Sequence, residues 1–153
     1  MSRHSEKARE MFLRGYSCAQ SVFAAFCDVT GMDEETALKL SSSFGGGMAR
    51  MREVCGACSA CFMVLGLLYG YAEPDYERKK EHYALIQRAA ARFKEQNGGT
   101  MLCRELLKNV ATLPGTEPEK RTEQYYKVRP CVRFVECAAQ IIDELTEELS
   151  DKQ

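Results

Sequence analysis

The sequence predicts an all-α fold, a single-domain compact bundle of about six to seven helices over residues 1–153. Three observations lead there. The four prolines stand at 74, 114, 118 and 130, so the first 73 residues carry none of the residue that breaks a helix interior. No long segment alternates Val, Ile and Thr with polar residues in the period of a half-buried strand. Apolar side chains instead recur three and four apart, and at 45% hydrophobic and 28% charged residues they suffice for one soluble core.

A first helix is expected from Ser5 to Leu13, stopped by Gly15, a residue at ease in the left-handed conformation that ends many helices. Ser17 can cap a second, running to Val29 with Cys18, Val22, Ala25, Phe26 and Val29 on one face, and Gly31 closes it. Asp33 can cap a third over Glu34–Ser43, with Leu38 and Phe44 turned inward, before Gly45, Gly46 and Gly47 break it. The fourth starts near Glu53. Its Val54–Ala72 stretch has no charge, but its cysteines, Ser59 and three glycines suit a central helix enclosed by neighbours better than a membrane span. The chain is therefore not expected to be an integral membrane protein. Gly66 and Gly70 would admit another helix at close range, inside the fold or in a homodimer.

Pro74 and Asp75 begin a charged fifth helix whose inner stripe is Leu85, Ile86, Ala89 and Phe93, ended by Asn97, Gly98 and Gly99. A sixth begins near Thr100 and places Cys103, Leu106, Leu107 and Val110 on one face. Leu113–Arg129 reads as a loop with a short helical turn, in which Tyr125 and Tyr126 pack the loop or line a pocket. The last helix starts after Pro130 and turns Cys131, Val135, Ala138, Ile142 and Leu145 inward. Its acidic end, Asp143–Asp151, reads as a solvated face, and His4 and His82 as surface residues.

Lys plus Arg number 21 against 22 Asp plus Glu, so there is no basic field for a phosphate backbone and nucleic acid is not an expected partner. The charges at Arg3, Glu6, Lys7, Arg9, Glu10 and Arg14 leave no apolar stretch for a secretory signal, which makes the cytoplasm the expected location.

Eight cysteines are the feature that asks for chemistry. Cys18, Cys103 and Cys131 each open a helix and head its buried stripe, and Cys55 nearly does. Unpaired N–H groups of a first helical turn favour an ionised thiol, so these positions are expected to make thiolates. Helices joined by short loops alternate in direction, which brings the starts of the second, fourth and sixth to one end. The long loop before Pro130 can return the chain and add Cys131.

Two chemistries suit such a cluster. One is thiol–disulfide redox or electron transfer at Cys18, Cys55, Cys103 and Cys131, with Cys58, in Cys55-Gly-Ala-Cys58, as an auxiliary resolving thiol. The alternative is a metal centre, with the same four cysteines holding an iron–sulfur cluster or zinc. Cys27, Cys61 and Cys137 lack a helix-start placement and read as buried filler. Gly45, Gly46 and Gly47 with Arg50 and Arg52 offer either an anion-receptive turn for a bound group or a neutraliser of thiolates. A flexible connector is the plain alternative.

The segments GYSCAQ around Cys18, FGGGMAR at Phe44–Arg50, EVCGACSA around Cys55, LCREL around Cys103, and Cys131 follow one another as in the C_GCAxxG_C_C family, which this chain resembles over nearly its whole length. The resemblance implies a single helical domain of that type, a small redox protein often encoded beside transporter genes. Its signature cysteines would be Cys18, Cys55, Cys103 and Cys131. Ala60 departs from the pattern, standing where the signature has its last glycine. The resemblance names no redox partner, and a transporter association is its only pointer.

Overall fold

The computed structural model describes residues 1–152. In chain order the helices are α1 (Arg3–Leu13), α2 (Cys18–Ala25), α3 (Cys27–Thr30), α4 (Glu34–Ser41), α5 (Gly56–Tyr69), α6 (Tyr76–Gln96), α7 (Cys103–Leu106), α8 (Glu123–Val128) and α9 (Cys131–Ser150), with a 3-10 turn at Ser42–Phe44. No strand occurs among the described residues, only an isolated antiparallel bridge between Val54 and Leu102. The all-α expectation holds, and the helices are more numerous and several are shorter than expected.

Local chemistry accounts for most of the starts. Ser2 accepts from the Ser5 amide at the head of α1, and Asp75 does the same for Arg78 at the head of α6. Ser17 and Gln20 form a reciprocal capping box that fixes the first turn of α2, and with it Cys18. Asp33 caps α4 as expected.

The second predicted helix is two helices. The chain turns at Phe26, where the buried ring stacks on His4 at 4.2 Å between centroids, and Val29 beyond the turn faces solvent, not the core. His4 is correspondingly not a surface residue. Its ring, 13% exposed, is hydrogen-bonded to Asp28 and, at 2.8 Å, to Asp143, one of the acids expected to be merely solvated. His82 is half-buried as well, edge-on to Tyr71.

α5 is the central element. Ala57, Cys58, Ala60, Cys61, Val64 and Leu65 are all buried, and the helix packs against α2, α6 and α9. Each fully buried Val or Leu side chain of this kind contributes about 1.5–3 kcal/mol. No helix among the described residues is long and apolar enough to cross a membrane. Gly66 has open space on its outer face and Gly70 ends the helix, so no other helix among the described residues uses the close approach that these glycines would permit. α6 turns Leu85, Ala89 and Phe93 to the core, and α9 contributes Phe134, Val135, Ala138, Ile142 and Leu145, closing against α1 through the Ser5 hydroxyl, which donates to the Glu136 carbonyl.

The predicted sixth helix is the largest departure. Only one turn, Cys103–Leu106, is helical. The preceding backbone is committed elsewhere: the Cys55 amide donates to the Met101 carbonyl at 2.8 Å and the Cys103 amide to the Glu53 carbonyl at 2.6 Å. Backbone groups paired across two segments are not available to an earlier start of the helix.

Candidate thiol site

The beginnings of α2, α5, α7 and α9 meet around a cavity of about 360 Å³, which is lined by Cys18, Cys55, Cys103 and Cys131. Four segments of the chain thus deliver one thiol each. Cys18 is the first residue of α2 behind its capping box, and Cys131 the first of α9 behind Pro130. Cys55 is the N-cap of α5, and the Val54–Leu102 bridge sets it beside the strand-like lead into Cys103.

Glycines make room for this convergence. A Cβ on Gly56 would lie 2.6 Å from the Cys18 Sγ, and one on Gly47 would lie 2.6 Å from the Cys103 Cβ. Either distance is shorter than real Cβ contacts, so the backbone approaches these two cysteines as only glycine allows. Ala60, in contrast, is fully buried with its methyl group accommodated in the core.

The triglycine segment is no loose connector. Gly46, Gly47, Met48, Ala49 and Arg50 are successive left-handed residues, with φ of 67°, 70°, 62°, 51° and 65°, and Arg52 follows at 59°. Left-handed backbone costs a residue with a Cβ roughly 1–2 kcal/mol. The turn is held by amide donations from Arg50 to the Gly45 carbonyl, from Arg52 to that of Gly46, and from Glu53 to that of Gly47. Its outcome is to aim two arginines. Gly45, Gly46 and Arg50 line the cavity, whereas Gly47 supports it from behind Cys103.

Arg52 Nη1 donates to Cys103 Sγ at 3.7 Å, while Nη2 groups of Arg50, Arg52 and Arg129 all reach one oxygen of Glu119, at 3.0, 3.1 and 2.8 Å. Burial alone would raise the Glu119 pKa, but its own backbone amide and the Arg50 and Arg129 guanidiniums hold it down at about 2. Arg121 braces the same wall, lying 4.3 Å over the Phe12 ring and donating to the Phe12 and Tyr16 carbonyls at 2.9 and 3.0 Å.

The expectation that helix starts make thiolates is corrected for three of the four cysteines. Burial is the largest influence on each and raises its pKa. For Cys55 the neighbouring Cys18 adds to burial, and the amides of Cys58 and Ala57 only partly oppose them. Burial and then Cys18 push Cys131 up to about 12. For Cys103, burial is opposed first by Arg52, which donates to its sulfur, and then by Arg129. These three thiols therefore rest protonated near neutral pH.

Cys58 does not line the cavity. It is buried on α5 and raised to about 12, by burial first and then by Cys137, with Cys61 next along the same helix. Cys137 accepts from Asn97 and donates to Gln96 at the end of α6. The structure thus groups the proposed auxiliary thiol with two of the residues read as filler, although Cys58 still lies close enough to Cys55 to influence it. Cys27, read as buried filler without a helix start, in fact opens the short α3 and is half-buried, and it stands apart from the cavity near Asp28 and Glu34.

Sequence reasoning missed Glu119, Arg121 and Arg129, which it left inside a charged loop. A signal was present, since Arg50 and Arg52 aimed at a cavity require a counter-ion, but only the fold shows which acid supplies it. Tyr125, expected to pack the loop or line a pocket, lines this one. All eight cysteines are free, and no group of three or more His, Cys, Asp or Glu side chains among the described residues is placed to hold a metal ion.

Fold and cavity together define a class: a helical protein in which thiols from four distant segments share one arginine-lined cavity. The family profile described as "Putative redox-active protein (C_GCAxxG_C_C)" matches residues 16–145, a span that contains all four cysteines and the left-handed turn. The chain belongs to the C_GCAxxG_C_C family. No curated protein and no solved structure matches it.

Proposed function

We propose that the chain is a thiol–disulfide redox protein whose centre is formed by Cys18, Cys55, Cys103 and Cys131. The observation that carries this reading is the meeting of four cysteines, from segments far apart in the sequence, around one cavity of about 360 Å³. Cys18 is the attacking thiol. It is partly exposed at the head of α2, and it is the common neighbour of Cys55, Cys103 and Cys131.

In the forward step the Cys18 thiolate attacks one sulfur of a substrate disulfide. The substrate S–S bond breaks, a mixed disulfide forms, and the departing thiolate takes up a proton. Cys103 then loses its proton with the Arg52 guanidinium beside it and attacks the Cys18 sulfur. The second substrate thiol leaves, a Cys18–Cys103 disulfide remains, and the substrate has gained two electrons and two protons. A dithiol donor of the reducing cytoplasm returns the centre to its starting state.

Iron–sulfur or zinc ligation by the same four residues is the alternative, and against zinc stands the observation that no three donors among the described residues are grouped around a single-ion position. Anaerobic purification followed by visible spectroscopy, metal analysis and thiol titration decides between the readings. The expected protein is colourless and metal-free, and loses two titratable thiols reversibly when equilibrated with oxidised and reduced dithiothreitol. Stoichiometric iron with cluster absorption, or stoichiometric zinc, overturns the proposal.

A further inference from the structure

We propose, resting on the thiol–disulfide reading above, that the cavity selects an anionic substrate: a small disulfide bearing carboxylate groups, held by Arg50, Arg52 and Arg129 next to the thiols. Among the residues that line the cavity, Arg50, Arg52, Arg121 and Arg129 are basic and Glu119 is the single acid. Three of those guanidiniums converge on the same carboxylate oxygen at 2.8–3.1 Å. One carboxylate cannot neutralise three guanidiniums, and the arginine side chains at 50 and 129 are only 11% and 6% exposed, so water does little to relieve their repulsion.

A second, independent observation points to a missing acceptor. The Nε of Arg50 is buried and has no hydrogen-bond partner, while its Nη1 donates to the Gly115 carbonyl and its Nη2 to the Leu113 carbonyl and Glu119. Buried guanidinium N–H groups are ordinarily satisfied, and a charged carboxylate oxygen is the strongest acceptor for the one left over. The left-handed turn at Gly46–Arg50 supplies the reason for the geometry, since it keeps Arg50 and Arg52 on the cavity side at a cost in backbone strain.

Glu119 acts in this arrangement as a tethered anion. It belongs to the long connection between α7 and α8 and occupies part of the positive field that a substrate carboxylate shares or takes over. The apolar wall formed by Phe12, Leu107 and Phe134 receives the carbon skeleton, while the thiol of Cys18 meets the disulfide bond. The electron balance is that of the proposed reaction, with the acidic disulfide as oxidant and two acidic thiols as products.

The test compares three small disulfides on the reduced chain at low ionic strength: the dianion dithiodiglycolate, neutral bis(2-hydroxyethyl) disulfide and the dication cystamine. Each rate is normalised to that disulfide's rate with dithiothreitol. The dianion is expected to lead the neutral compound by about tenfold or more, and the dication to trail it. Glu119→Gln is expected to widen the dianion-to-neutral ratio and Arg50→Gln to narrow it. With the wild-type chain, sulfate at constant ionic strength is expected to slow the dianion more than the neutral compound, a readout that depends on no variant folding. Equal normalised rates for the three disulfides, or no differential effect of sulfate, overturn the anion selectivity and leave the redox reading standing. Failure of all three to oxidise the chain overturns the redox reading itself.

Discussion

Cys18→Ser is expected to lower the rate of reversible oxidation of the centre by at least about a hundredfold, because a serine hydroxyl stays protonated where a thiol ionises and forms no disulfide. The effect follows from position. Cys18 alone of the four combines partial exposure with electrostatic contact to all the others. Cys103→Ser is expected to stop the reaction at the mixed disulfide, since the thiol held beside Arg52 is the one that resolves it. Cys27→Ser leaves the rate at the wild-type value, as its thiol lies outside the cavity. Quenched-flow thiol counting measures all three. Equal losses in the three variants contradict the assignment of the centre.

Gly47→Ala is expected to destabilise the fold by about 2–5 kcal/mol, adding left-handed strain to steric overlap. The φ of Gly47 is +70°, and a Cβ there meets the Cys103 Cβ at 2.6 Å and the Glu53 amide nitrogen at 2.9 Å. Neither neighbour is the far end of a flexible side chain, so relief requires moving the backbone that pairs residues 52–55 with 101–104. Gly98 provides the comparison. Its φ is +73°, yet nothing lies within 4 Å of a Cβ placed on it, so Gly98→Ala carries only the strain of about 1–2 kcal/mol. Urea unfolding of the two variants separates the contributions, and equal costs would mean that the close packing of Gly47 on Cys103 is not what holds the site. Because the overlap pushes on Cys103 itself, Gly47→Ala is also expected to slow disulfide formation.

Much of this architecture is written in short-range signals. Ser17, Asp33 and Asp75 announce the helix starts that they cap, and the spacing of Leu85, Ala89 and Phe93 gives the buried face of α6. The placement of cysteines at helix starts was legible for the same reason, because a cap and the residue after it are adjacent in sequence. The pairing of Val54 with Leu102 was not, since a bridge between segments so far apart leaves no local period to read. Its consequence, the later start of the sixth helix at Cys103, was hidden with it.

The left-handed run was half visible. Gly46 and Gly47 mark a turn, but Met48, Ala49 and Arg50 follow them into a conformation their own side chains oppose, so the surrounding hydrogen bonds impose it. The thiol ionisation was misread because a helix start and its burial act in opposite directions, and burial is known only once neighbouring elements are in place. Glu119 was invisible for a similar reason. Nothing local distinguishes it from Glu117 or Glu123 until Arg50, Arg52 and Arg129 arrive around it.

Disulfide mapping by mass spectrometry, on reduced chain treated with a limiting amount of dithiodiglycolate and then alkylated, tests the shared thiol centre most directly. The first intramolecular disulfide is predicted to join Cys18 to Cys103, with Cys55 and Cys131 still alkylated. A first disulfide that uses Cys27 or Cys137, or complete alkylation of all eight thiols after oxidant has been consumed, would contradict it.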